Sequence, residues 1–367
     1  MNEFVITATR SMKDYASRVV SYVTALPRFS HMAEGINGVE LLKTERFADG
    51  EMEVSITESV RGKDVVIFAS SARNDAGLGV EEAKTELYHA VDALKRSQAR
   101  KIMVFEPFIS CSRSDRATGR NSVGLWIHFK ILAGLGAAHI ITYQLHSNKS
   151  VSMLDPTVCT IDNIPALNLL KRYLCDAYIR DMKTLEKDVR GSWAFCSVDA
   201  GGEKFTKEFA NAFGAPLVVA HKQRDYSKIN TIESINILSA EPIDGKILWI
   251  VDDMIDTAGS IESLIKALTP LRPREINIIA SHAIFSPPAA ERLSRLTGEG
   301  LLNRLIVTDT VSTAALSEKI PRLEIVPSAE LSAGIIRILV SNESLSKTLL
   351  PFSAEKYLKS PNLFNTQ

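Results

Sequence analysis

Cysteine is scarce in this sequence, with four in 367 residues, and none of Cys111, Cys159, Cys175 and Cys196 stands in a C-x-x-C pair. That scatter argues against a disulfide frame or a thiolate zinc site and fits reduced, structural thiols. Excess charge of either sign is missing too: 43 basic and 43 acidic residues give a net charge of zero. No global field then favours nucleic acid or an anionic membrane, and any anion site has to be local. Apolar runs stay well short of the roughly 18 residues that span a bilayer. The N-terminal stretch lacks a basic-then-apolar signal pattern, so the expectation is a cytoplasmic protein without nucleic-acid or membrane partners. Nor does the sequence offer a Ser/His/Asp triad or a reactive-cysteine setting.

What is present is enough apolar material, 45% of the residues, to fill two cores. Strand-like runs alternate with helical patterns, which predicts an α/β protein with largely parallel sheets flanked by helices. Ser11 is placed to cap a helix carrying Met12, Tyr15, Ala16, Val19, Val20 and Val23 on one face. A second helix runs through "GVEEAKTELYHAVDALKRS", with Val80, Ala83, Leu87, Val91 and Leu94 on its stripe. Strands are expected at 64–70, 101–108 and 139–145. The second half repeats the grammar: Gly245-Lys246 precedes Ile247-Leu248-Trp249-Ile250 as Gly62-Lys63 precedes Val65-Val66-Ile67-Phe68. About 35 residues further on, a basic turn feeds another strand in each half, and "RLIVTDT" mirrors "HIITYQL". The chain therefore divides into similar domains at 1–160 and 161–350, with 351–367 as a tail that has little to bury.

The stretch "VDDMIDTAGS" (251–260) carries the chemistry. The apolar run 247–251 has the length of a buried strand, Asp252, Asp253 and Asp256 follow at its mouth, and Ile261, Leu264, Ile265 and Leu268 fall at helical spacing. Unpaired amides at a helix start can hold a phosphate, helped by the hydroxyls of Thr257 and Ser260 and by close approach over Ala258 and Gly259. The acids would repel that phosphate, which makes sense if they face sugar hydroxyls or a magnesium ion. Asp256 serving only as a helix cap is the plainer alternative.

"VDDMIDTAGS" resembles the phosphoribosyl-diphosphate signature shared by phosphoribosyltransferases and ribose-phosphate diphosphokinases. The segments "RFADGEMEVSITESVRGKDVVIFAS" (46–70), "SRSDRATGR" (112–120), "LH" (145–146), "SVDAGGEKF" (197–205), "HKQR" (221–224) and "SHAIFSPPA" (281–289) follow in the order of the diphosphokinases. The resemblance spans about residues 3–345 and implies two phosphoribosyltransferase-like domains. It implies transfer of the diphosphoryl group of Mg-ATP to ribose 5-phosphate, and a homo-oligomer of dimers assembled into hexamers with an ATP pocket shared across an interface.

Each segment has its own chemistry beside that resemblance. Phe47 offers a flat face for a purine, while Asp49 and Glu51 would project to one side of an extended strand and accept from an amino group or ribose hydroxyl; a core Phe beside a solvated acidic edge is the alternative. In the loop after 101–108, Arg113 can pair with a phosphate, Asp115 can orient it, and surface ion pairing is the bland reading. With Ser114 between them, the resemblance makes these ATP-binding residues. Asp199-Ala200-Gly201-Gly202 can wrap a diphosphate with backbone N–H groups ahead of the helical pattern Phe205, Phe209, Ala212, Phe213. His146 and Asp199 lie at strand ends, where α/β enzymes build sites, and the resemblance makes them magnesium ligands. Lys222 and Arg224 open a polar stretch, "KQRDYSKINTIESIN", that reads as a mobile loop or a solvated connector; the resemblance makes them the catalytic cations.

The chain departs from the family's pattern in places. Ser114 stands where Gln is usual and Gln144 where Asp is usual. Residues 147–154 do not match the segment that serves effector binding and subunit contact, and the helix at 80–94 lacks the usual N-D-x-L-M-E-L. These departures keep a non-catalytic synthetase-like subunit open as an alternative. A phosphoribosyltransferase is the other alternative, although the 46–51 segment would then lack a purpose.

Overall fold

In each half of the chain a glycine-lysine turn feeds a buried strand, and the two turns are built alike. Gly62 and Gly245 have left-handed backbones, with φ of +74° and +71°, a conformation that glycine adopts without a Cβ clash. The Gly62 N–H donates to the Gln98 carbonyl and that of Gly245 to the Arg272 carbonyl, both at 3.0 Å. Arg100 and Arg274 then donate their N–H groups to Lys63 and Lys246, both at 2.8 Å. The sequence repeat is thus a repeat of hydrogen-bonded structure.

The structure is a computed structural model that describes residues 3–25, 39–74, 76–224 and 232–360, with the side chains of 222–224, 232–234 and 314 outside that description. Two compact units emerge: Met1–Pro165 with Thr310–Ser312 and Ser328–Leu349, and Ala166–Asp309 with Thr313–Pro327 and Leu350–Gln367.

The first unit holds strands β1 (Phe4–Ala8), β2 (Leu42–Arg46), β3 (Met52–Ile56), β4 (Asp64–Phe68), β5 (Lys101–Glu106), β6 (His139–Tyr143) and β7 (Thr160–Ile164). Helices α1 (Lys13–Thr24), α2 (Val80–Arg96) and α3 (Gly124–Leu135) connect them. Five strands form one sheet in the order β1-β4-β5-β6-β7, parallel throughout, while β2 and β3 make a separate antiparallel hairpin. Val65, Ile67, Ile102, Val104 and Ile140 bury one sheet face against Leu87 and Val91 of α2 and Leu125 and Phe129 of α3. That is how a parallel sheet removes its apolar faces from water.

The second unit contains α4 (Leu167–Leu174), β8 (Trp193–Ser197), α5 (Glu203–Phe213), β9 (Leu217–Arg224), β10 (Ile232–Ser239) and β11 (Ile247–Ile255). It continues with α6 (Gly259–Leu268), β12 (Glu275–Ala283), α7 (Ala289–Gly298), β13 (Arg304–Thr308) and β14 (Leu323–Val326). Its sheet order, β10-β9-β8-β11-β12-β13-β14, reproduces the first sheet in β8-β11-β12-β13-β14 and adds two strands at the β8 edge. Only β10 runs antiparallel to its neighbour. Ile261, Leu264, Ile265 and Leu268 of α6 bury the face that the spacing predicts.

Helix α8 (Ala329–Val340) follows β14 in the chain yet belongs to the first unit. Tyr15 of α1 reaches Ser328 and Ser332 through its hydroxyl, both at 2.8 Å, and Tyr143 reaches Ser332 at 2.7 Å. The division expected at 160/161 with one continuous second domain therefore differs from the structure, because 328–349 returns to the first unit. Residues from 351 onward were expected to bury little. Instead, helix α9 (Ala354–Lys359) and its approach put Phe352, Ala354 and Tyr357 into the second unit's core, and the Tyr357 hydroxyl donates to Asp176 at 2.8 Å.

Two smaller expectations change as well. Ser11 does not cap a helix: it lies in a 3₁₀ turn ahead of α1 and accepts from the Ser70 N–H at 3.0 Å. Val80 opens α2 but is exposed rather than part of the buried stripe. The four cysteines are free, and burial pushes the thiols of Cys111 and Cys159 up to about 11 and those of Cys175 and Cys196 up to about 12, as befits structural residues. Among the described residues no helix is long and apolar enough to cross a membrane.

Lys171 of α4 is a cation buried in the second unit, at 2% exposure. Its ammonium donates to Asn168 at 3.2 Å, lies 3.7 Å from the Glu208 carboxylate and sits over the Phe209 ring, yet burial still brings its pKa down from 10.5 to about 8. Between those two values the unfolded chain binds more protons than the folded one, so native stability rises with pH across that window. Lys171→Met is expected to raise the melting temperature near pH 7 by the equivalent of at most about 3 kcal/mol. That advantage should shrink between pH 8 and 10.5 in thermal melts, the window set by the two pKa values.

Candidate functional site

The acid-rich edge of the second unit begins inside a strand. β11 does not stop at Val251: Asp252 still pairs with Ala280 of β12, and the strand ends only at Ile255. The ladder to β12 continues through the charged residues, so Asp252 and Asp253 are strand residues rather than loop residues, a correction to the expected boundary. Asp253 is buried at 4% exposure. Asp252 is half-buried. Burial, followed by the charge of Asp253 and more weakly that of Asp199, drives its pKa well above the usual carboxylate range. The Asp253 N–H, which Asp252 accepts at 2.9 Å, works against that rise.

Beyond β11 the chain turns through Asp256 and Thr257 into α6. The cap position of α6 is Ala258, in left-handed backbone at φ +58°, with no side-chain cap hydrogen bond. A non-glycine residue in that region is uncommon and costs energy. The helix start therefore carries amides that no cap side chain at 258 satisfies, in a turn where Thr257 and Ser260 are exposed. Gly259 matters for space rather than for φ: a Cβ there would come 3.2 Å from the Arg292 guanidinium, which would have to shift by a few tenths of an ångström.

The neighbouring turn is arranged differently. Asp199 accepts the N–H of Gly202, the residue just before α5, at 3.0 Å, while a Cβ on Gly201 would crowd the same carboxylate at 3.2 Å. Gly202 is buried, Ala200 and Gly201 are exposed, and the Gly202 N–H is committed to Asp199 rather than to a ligand. The expected four-residue diphosphate wrap thus loses one of its donors.

Lys222 and Arg224 were expected in a loop, but their backbone belongs to β9, paired with Ile235 and Ile232 of β10. Their side chains, and residues 225–231, lie outside the described residues.

In the first unit, Phe47, Asp49 and Glu51 occupy the turn of the β2–β3 hairpin, not an extended strand as expected. Phe47 donates its N–H to the Glu51 carbonyl at 2.8 Å, and Gly50 takes φ +96°. Asp49 accepts the Glu51 N–H at 3.0 Å. Phe47 is 47% exposed, which sets aside its reading as a core residue. Glu86 of α2, almost fully buried, anchors the hairpin. It takes the Arg10 N–H and Nε–H, each at 2.9 Å, and the Thr44 hydroxyl at 3.1 Å. Arg46, next to Phe47, pairs with Glu82 of the same helix.

Arg113 is exposed and Asp115 half-buried in the loop before α3. Between them, the Ser114 hydroxyl accepts the Gly124 N–H at 2.9 Å and its carbonyl accepts that of Leu125 at 3.1 Å, so Ser114 closes the start of α3. His146 is exposed just beyond β6, after Gln144, whose φ is +42°. Among the described residues no three His, Cys, Asp or Glu side chains form a ready-made metal site.

Sequence reasoning singled out neither Glu86 nor Arg292. Both act on residues far away in the chain, and spacing gives no sign of such contacts.

A parallel sheet with acids at its strand ends, followed by a left-handed turn into a helix, defines a phosphoribosyltransferase-type α/β protein. Residues 176–295 match the phosphoribosyl transferase domain family, and residues 4–136 match the "N-terminal domain of ribose phosphate pyrophosphokinase". Over 332 residues the chain is 32% identical to ribose-phosphate pyrophosphokinase 2, chloroplastic, from Arabidopsis thaliana, covering 89% of this chain and 76% of that one. It is 30% identical to the ribose-phosphate pyrophosphokinase of Fusobacterium nucleatum, covering 84% and 91%. The phosphoribosylpyrophosphate synthetase of Mycobacterium smegmatis superposes with a TM-score of 0.76 at 26% identity, over 93% of this chain and 99% of that one. The chain belongs to the ribose-phosphate pyrophosphokinase family, the diphosphokinases of the sequence resemblance, and shares their pair of α/β domains.

The raised proton affinity of Asp252 has a measurable consequence. The native state holds a proton there that the unfolded chain has released, so ionising Asp252 costs stability as pH rises above the ordinary carboxylate range. Asp252→Asn is expected to raise the melting temperature of the ligand-free protein at pH 8, and thermal melts should show the gain fading towards pH 4.

Proposed function

We propose that this protein transfers the diphosphoryl group of Mg-ATP to ribose 5-phosphate, giving 5-phosphoribosyl 1-diphosphate and AMP for nucleotide biosynthesis. The C1 hydroxyl attacks the β-phosphorus, the bond from that phosphorus to the oxygen bridging the α-phosphate breaks, and AMP leaves as the hydroxyl proton is lost. The observation that carries this reading is the junction of β11 and α6: acids on the strand, a helix start whose cap residue Ala258 makes no side-chain bond, both within a chain of this family.

Chemistry of this kind needs positioning and charge neutralisation more than a covalent nucleophile. In this reading Thr257, Ala258, Gly259 and Ser260 hold the 5-phosphate through amides and hydroxyls, and Asp252, Asp253 and Asp256 take the ribose hydroxyls. Phe47 stacks on the purine, with Asp49, Glu51, Arg113, Ser114 and Asp115 around the nucleotide. Ser114 contributes mainly by fixing the loop, since its hydroxyl is engaged at α3. Asp199, Ala200, Gly201 and Gly202 line the diphosphate, and Lys222 and Arg224 offset the charge on the transferring group.

Magnesium fits the donor set as an ion that arrives with ATP, because it prefers oxygen ligands and keeps several waters. Mutual repulsion among Asp199, Asp252 and Asp253 is what a cation would relieve. His146 and Asp199 would hold it, and its chemistry there would be charge neutralisation of the triphosphate.

A homo-oligomer is part of the same proposal. Trp126, Ile127 and Ile131 of α3 are 42%, 40% and 36% exposed, an apolar surface of the kind that subunits cover. Trp126→Glu should shift the protein to a smaller species in light scattering coupled to size exclusion; an unchanged mass removes α3 from the contact.

The deciding assay supplies purified protein with ATP, magnesium and ribose 5-phosphate. Equal amounts of AMP and phosphoribosyl diphosphate are expected, and no AMP would point to a non-catalytic subunit or a base-using transferase. Lys222→Ala should lower kcat by roughly 100-fold or more while ATP still binds. Equal loss of binding and turnover would count against the role given to Lys222.

A further inference from the structure

Arg292 lies on α7, yet its guanidinium reaches back to the turn that opens α6. One terminal nitrogen donates to the Thr257 carbonyl at 2.9 Å. Its Nε lies 3.3 Å from the Glu262 carboxylate, which is 13% exposed and also pairs with Arg295 and Lys266. The guanidinium is therefore held from two sides, and one of its terminal nitrogens lies 3.2 Å from where a Cβ of residue 259 would stand.

The consequence follows from the planarity of one peptide. In a trans peptide the carbonyl and the next N–H point in opposite directions. Holding the Thr257 carbonyl towards α7 turns the Ala258 N–H away from α7. Ala258 sits at φ +58° without the freedom of glycine, so something outside the residue has to keep that strained conformation in place. The Arg292 guanidinium, bonded to the carbonyl just before Ala258, is a group in contact with the turn that can do so.

We infer that Arg292 is a positioning residue for the anion-binding turn: by pinning the Thr257 carbonyl it aims the Ala258 amide, and with it the start of α6, at the phosphate of the sugar substrate. The inference rests on the reading that this turn takes the 5-phosphate of ribose 5-phosphate. Arg292 touches neither substrate nor reacting atoms; it acts through the backbone. Glu262 completes the arrangement by fixing the guanidinium and offsetting its charge.

The test combines a readout that needs no substrate with one that does. In ligand-free Arg292→Met, amide hydrogen exchange at 257–260 should speed up while exchange in β11 and β12 stays as in the wild type. In steady-state assays the KM for ribose 5-phosphate should rise about 10-fold, the effect of losing one charge-assisted hydrogen bond, with the KM for ATP within about 2-fold. Arg292→Lys, which keeps the charge and one donor but cannot hold Thr257 and Glu262 together, should fall between the two. Unchanged exchange at 257–260, or equal rises in both KM values, would overturn the assignment. Should the wild type make no AMP, the diphosphokinase reading fails, and the exchange data still decide whether Arg292 holds the turn.

Discussion

Holding one carboxyl close to two others on a paired strand is the constraint behind the second unit's chemistry. β11 is hydrogen-bonded to β8 as far as Val251 and to β12 past Asp252, so the sheet fixes the backbone that carries Asp252. Its pKa is raised because the sheet fixes it near Asp253 and within the field of Asp199. The fold supplies that energy through apolar burial on both faces, where Leu248 and Ile250 meet one layer and Trp249 and Val251 the other. A hydroxyl-rich sugar or a cation is the kind of ligand that turns this cost into affinity. The adjacent turns differ in detail: the Gly202 N–H before α5 is taken by Asp199, whereas α6 starts at an alanine in left-handed backbone.

Much of the fold was legible because it rests on local patterns. Apolar runs of strand length located the central strands of both sheets, stripes at helical spacing located α1, α2, α5 and α6, and the Gly-Lys repeat pointed to two similar units. Boundaries failed where the ladder, not the side chain, decides. β11 runs on through two aspartates because its neighbour is in register there. The polar segment after His221 read as a loop, but part of it forms the β9–β10 pair at a sheet edge, where polar side chains are tolerated. The chain end read as a tail because Phe352 and Tyr357 are too few to show a pattern, yet together they suffice to dock a short helix.

The candidate site was legible as chemistry more than as geometry. Residue types in "VDDMIDTAGS" announce an anion site beside hydroxyl acceptors, and the structure keeps them on one strand and the turn that follows it. What stayed hidden were supports that join distant parts of the chain: Glu86 under the β2–β3 hairpin and Arg292 behind the α6 turn. Ser114 shows a further limit. As a departure from the family's pattern it looked like a shortened ligand, whereas its hydroxyl is engaged at the start of α3, a role visible only once residues 114 and 124 are seen together.

The return of α8 to the first unit changes how this protein can come into being. Neither unit is one uninterrupted length of polypeptide. A ribosome that has released Pro165 has not yet made the serines that Tyr15 and Tyr143 will bond, and the first sheet must wait for nearly the whole message to be read before its last helix arrives. Dividing the gene at 165 would leave one product without its closing helix and the other with that helix stranded. Each half, alike in architecture, is for that reason complete only when stretches far apart in the chain have met.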